Sequence, residues 1–68
     1  MLHSTRYLLD VWVRLHTDGI RQYATRETWA DFSAQCRARA AIEPSARKAA
    51  RLAELADLAD AESAEIFK

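Results

Sequence analysis

The chain has 68 residues, ten of them basic and ten acidic, and no formal net charge. A chain of this length forms one domain and buries only about 60% of its unfolded surface, so a stable fold calls for some staple. Zero net charge argues against generic attraction to nucleic acid or anionic membranes. The lone Cys36 excludes an intrachain disulfide, which leaves association with a second copy as the expected staple.

The first predicted element covers about residues 4–18. Leu8, Val11, Trp12 and Leu15 recur at helical spacing, and Ser4 or Thr5 suits the N-cap. Tyr7, Leu9, Val11, Val13 and Leu15 also alternate as a strand would. Helix is preferred because a lone strand finds no edge to pair with elsewhere in the chain. Gly19 fits the position that ends a helix, with apolar Ile20 after it. Residues 20–24 read as a short turn or an extra helical turn, with Ile20 and Tyr23 pointing inward. Arg6, Asp10, Arg14 and Asp18 interrupt the first twenty residues, so no secretory leader is expected there, and no run reaches the roughly 20 apolar residues of a membrane span. With one free cysteine, these features point to a cytoplasmic setting.

The second element covers about residues 25–41. Trp29, Phe32, Cys36 and Ala40 form its apolar stripe, with Ser33 beside them. Thr25 or Thr28 suits the N-cap, and Glu27 or Asp31 suits the first turn. Arg37 and Arg39 sit in the last turns, where the helix dipole favours cations.

The third element covers about residues 44–67 and is rich in alanine. Pro44 disfavours a helical Glu43 and suits the first helical position. Ala49, Leu52, Ala56, Ala59, Ser63 and Ile66 recur at spacings of three and four, and Leu55 widens the stripe. Leu58 lies off it, among Arg47, Arg51, Glu54, Glu62 and Glu65. It is either a lone exposed leucine or part of a second contact face. The charges run against the helix dipole. Arg47, Lys48 and Arg51 occupy the first turns, and Glu54, Asp57, Asp60, Glu62 and Glu65 the later ones. Each well-placed charge is worth roughly 0.3–1 kcal/mol to a helix, so this order costs the isolated element and suggests that the charges face a partner. An antiparallel second copy would set the basic half against the acidic half. Residues 26–51 carry six bases against three acids, a net +3, and residues 52–68 carry one base against five acids, a net −4.

These elements specify an all-α fold, a small three-helix domain spanning residues 1–68 with a long alanine-rich C-terminal helix, expected to be dimeric. Its predicted core is Leu8, Trp12, Leu15, Trp29, Phe32 and Leu52. The predicted dimer or partner interface is Ala49, Leu52, Leu55, Ala56, Leu58, Ala59 and Ile66.

The chemistry-bearing residues do not assemble into a catalytic set. His3 and His16 lack a nucleophile nearby in sequence, and Cys36 reads as a small core hydrophobe. The only glycine, Gly19, excludes a glycine-rich phosphate loop. His3, His16 and Cys36 lack the paired spacings of a metal site. Hence no enzyme, cofactor or metal is expected. A basic corner of Arg37, Arg39, Arg47, Lys48 and Arg51 around the Glu43–Pro44 turn offers possible nucleic-acid contacts, as in a helix–turn–helix. The turn lacks glycine, however, and the acids that follow would repel phosphates. In size and helical character the chain resembles small dimeric bacterial or phage regulators as a class, a likeness no motif carries. The expected function is therefore a non-enzymatic, homodimeric cytoplasmic interaction protein that binds or inhibits another protein. The alternative is a nucleic-acid-binding regulator.

Overall fold

The computed structural model describes residues 2–17 and 23–68. They form three helices, α1 (Thr5–Thr17), α2 (Arg26–Ile42) and α3 (Ala46–Ile66), with no strand among the described residues. The alternating pattern of residues 7–15 thus resolves as helix. The expected stop at Gly19 and the inward Ile20 lie outside the described residues.

Each helix begins where its sequence supplies an acceptor for free amide groups. The Ser4 hydroxyl accepts from the Tyr7 amide at 3.1 Å, which settles the choice between Ser4 and Thr5. Thr25 and Thr28 form a reciprocal capping box at α2. The Ser45 hydroxyl accepts from the Lys48 amide at 3.3 Å, so α3 starts at Ala46. This corrects the expectation that Pro44 opens the helix. Pro44 instead holds Glu43 extended (φ −70°, ψ 122°), and the first residue able to cap is Ser45.

α2 and α3 pack as an antiparallel hairpin, and α1 lies across them, antiparallel to α2. Leu8, Leu15, Trp29, Phe32, Cys36, Leu52, Leu55, Ala56 and Ala59 form the buried core. Trp12 is only partly buried, stacked on Phe32 with ring centroids 5.9 Å apart. Tyr23 is 78% exposed, correcting its expected inward orientation. The buried ring near that end of the core is Trp29. The Trp29 Nε1 group is buried without a hydrogen-bond partner among the described residues. That omission costs about 1–3 kcal/mol. Burying a ring of 150–250 Å² at about 25 cal/mol per Å² returns roughly 4–6 kcal/mol, so the ring stays inside.

The small residues of α3 serve this intrachain packing. Ala56 and Ala59 are fully buried, and the Ser33 hydroxyl of α2 donates to the Ala56 carbonyl at 3.4 Å. No helix among the described residues is long and apolar enough to cross a membrane.

Candidate interaction surface

The residues singled out in the third element separate into two groups. Leu52, Leu55, Ala56 and Ala59 are buried within the protomer, and Ala49 is half-buried. Leu58 and Ile66 are exposed. A partner would therefore meet Leu58, Ile66 and the charged outer face of α3, while the alanine stripe lies against the chain's own core.

The acids of α3 find partners inside the protomer. Arg37 of α2 reaches Asp57 Oδ1 at 3.0 Å and Asp60 Oδ2 at 2.7 Å, and it also donates to the Ser33 hydroxyl. This contact holds the Asp60 carboxyl below the usual carboxylate range, with help from the Ser33 hydroxyl. Glu62 Oε2 lies 3.4 Å from His16 Nε2 of α1, Glu54 pairs with Arg51, and Glu65 pairs with Lys68 at 3.0 Å. Part of the reversed charge order thus has a cause in the tertiary structure: Asp57 and Asp60 face Arg37 of α2, while Glu54 and Glu65 pair locally with residues three positions away.

The basic corner divides as well. Arg37 belongs to the contact just described. Arg39 Nε lies 3.2 Å from the Thr5 hydroxyl and 3.7 Å from Glu43 Oε2. Glu43 also accepts from Thr5 and from the Ser45 amide, so one carboxylate ties the start of α1, the end of α2 and the start of α3. Its side chain is only 8% exposed. The Thr5 hydroxyl, then the Ser45 amide and the Arg39 and Lys48 charges, keep its pKa below the ordinary value against the effect of burial. The sequence reading treated Glu43 only as the residue before proline. Its one legible signal was an acid next to a turn that three helix ends must share.

Arg47, Lys48 and Arg51 remain together. With Leu9 of α1 they line a surface groove of about 360 Å³ between α1 and α3, walled almost wholly by apolar atoms. The walls combine the Leu9 side chain with the alkyl stems of the three basic residues, whose charged heads reach water. Arg47 and Lys48 make no ion pair among the described residues. Leu9 also borders the neighbouring concavity formed by Ser4, Arg6, Tyr7, Asp10 and Val13. The sequence signal for this groove was a leucine one step off the α1 stripe, read only as part of an alternating pattern.

The remaining candidates have structural surroundings. Cys36 is fully buried, and burial pushes its thiol up to about 11, so thiolate chemistry is suppressed at neutral pH. The His3 ring stacks on Tyr7 with centroids 4.3 Å apart, and the His16 ring lies tilted against Trp12 at the same separation. No cluster of three potential metal ligands occurs among the described residues. Compared with family models, curated proteins and solved structures, the chain matches none.

Proposed function

We propose that this chain is a small non-enzymatic interaction protein of the cytoplasm, that it acts as a homodimer, and that it binds or inhibits another protein. The observation that carries this reading is the groove between α1 and α3, where an apolar wall meets three cations, of which Arg47 and Lys48 make no direct ion pair among the described residues. Such a surface gains from being covered by a complementary partner. Homodimerisation is supported by the small core and by the exposed Leu58 on the charged face of α3. The buried thiol and the ring contacts of both histidines support packing roles for the residues that could otherwise do chemistry.

The cluster of Arg47, Lys48 and Arg51 favours one second reading, phosphate contact by a nucleic-acid regulator. Against it, Arg37 and Arg39 of the same corner are committed to intrachain contacts. Cross-linking in the native host followed by mass spectrometry separates the two readings. The protein-interaction reading expects the same protein to be recovered under nuclease treatment. Recovery that depends on nucleic acid, together with a salt-sensitive gel shift abolished by Arg47→Ala/Lys48→Ala, would replace it with the regulator.

A further inference from the structure

The groove and the acidic end of α3 are complementary surfaces on the same chain. Arg47, Arg51, Glu54, Leu58, Glu62 and Glu65 fall along one face of α3 by helical spacing. At one end of this face lies the groove with Leu9, Arg47 and Lys48, the two cations making no direct ion pair among the described residues. At the other lies Leu58, 43% exposed and set among carboxylates. We infer that the occupant of the groove is a second copy of this chain, whose α3 lies antiparallel and places its Leu58 against Leu9 between Arg47 and Arg51. This rests on the homodimeric reading above and gives that dimer its interface.

Three observations select this occupant. The first is register. Leu58 lies nine positions beyond Ala49, so an antiparallel crossing centred near residues 53 and 54 sets each Leu58 opposite the other copy's groove. The second is symmetry, because the contact made at one end is repeated at the other, as a closed two-fold interface requires. The third is charge. In the same crossing Glu62, which also lies 3.4 Å from His16 Nε2 of its own chain, approaches the partner copy's Arg47 and Lys48, which make no direct ion pair among the described residues. A nucleic acid would use those cations but would gain nothing from the apolar wall, and it would meet the acidic end of the same helix.

Sedimentation equilibrium with native mass spectrometry of the full chain tests this interface. Circular dichroism on each variant reports whether the helices persist. Leu58→Asp changes an exposed side chain and is expected to weaken dimerisation at least about tenfold with helicity retained. Arg47→Glu/Lys48→Glu and Glu62→Lys/Glu65→Lys should each weaken their own homodimer. Both pairs also improve the α3 dipole, and because Glu62→Lys/Glu65→Lys gives up the contacts to His16 and Lys68, a thermal melt at concentrations where the protomer is unassociated separates a protomer loss from a dimer loss. Mixed together, the two charge variants should form heterodimers in excess of either homodimer. A wild-type chain that is a folded monomer at every concentration would overturn the homodimeric reading itself. A dimer unaffected by Leu58→Asp, or charge variants that mix without preference, would overturn this interface and leave that reading standing. Conversion of the species to a nucleic-acid complex on adding duplex DNA would assign the groove to phosphate instead.

Discussion

Helix α3 has two seams, and they are built differently. Against α2 it presents Ala56 and Ala59, small enough for the backbones to approach until a serine hydroxyl reaches a main-chain carbonyl. Arg37 then clips the outside of that seam to Asp57 and Asp60. Against α1 it presents Arg47, Lys48 and Arg51, whose long stems flank Leu9 and leave a groove. Side-chain size thus closes one seam and opens the other, and charge follows the same division. Arg37 at the closed seam is spent on acids of the neighbouring helix, whereas at the open seam Arg51 pairs only with Glu54 of its own helix and Arg47 and Lys48 make no direct ion pair among the described residues.

The largest effect should come from the core that both seams share. Leu52 is fully buried, and Leu52→Asp would place a carboxylate there without a partner. We expect a loss of several kcal/mol, enough to abolish the cooperative thermal transition followed by circular dichroism. A cooperative transition retained by this variant would mean that α3 does not dock through Leu52.

Overpacking the closed seam should cost less. Ala56→Leu inserts a branched side chain at a fully buried position beside Ser33 of α2, and about 1–3 kcal/mol is expected from such insertions. In a domain of this size each kcal/mol lowers Tm by about 4–8 °C. An unchanged Tm would show that the seam is looser than its small residues imply.

These two expectations depend on how much of the fold was legible in the sequence. The apolar spacing of Leu8, Leu15, Trp29, Phe32, Cys36 and Leu52 places all of them in the core, and the caps at Ser4 and Thr25 fell among the candidates named for them. The partner of the alanine stripe was not legible. Small residues at spacings of three and four describe a close helix contact without saying whether the other helix belongs to the same chain.

Acid should act on both the clip and the junction of helix ends. The folded-state pKa values of Asp60 and Glu43 are depressed, the first chiefly by Arg37 and the second chiefly by the Thr5 hydroxyl. A depressed carboxyl stabilises the fold above the ordinary carboxylate range and loses that contribution as pH falls through its folded value. Urea midpoints should therefore hold steady near neutrality and decline once pH enters and passes below that range. Arg37→Ala should lower the midpoint at neutral pH and flatten the acid decline, since Asp60 then titrates nearly as it does in the unfolded chain. Parallel curves for the two proteins would remove Asp60 from the account.

The smallest effect belongs to the open seam. Arg47→Glu/Lys48→Glu breaks no direct ion pair among the described residues and places acids in the first turn of α3, offset in part by loss of the Lys48 charge that favours ionised Glu43. At concentrations where the protomer is unassociated, stability should stay level or rise by roughly 0.3–1 kcal/mol per charge. A fall in Tm there would show that these cations hold the protomer together, and the contrast between the seams would fail.

By itself the sequence determined the helical class, the approximate extent of each helix and the residues able to fill a core, because periodicity and capping are local properties of a chain. The tertiary structure decided which helix covers the small residues of α3, that Arg37 spans to Asp57 and Asp60, that Glu43 joins three helix ends, and that Leu9 floors a groove beside Arg47 and Lys48. Those outcomes depend on how three amphipathic helices rotate and dock against one another. That arrangement is set by the packing of the whole core and is written in no single stretch of the chain.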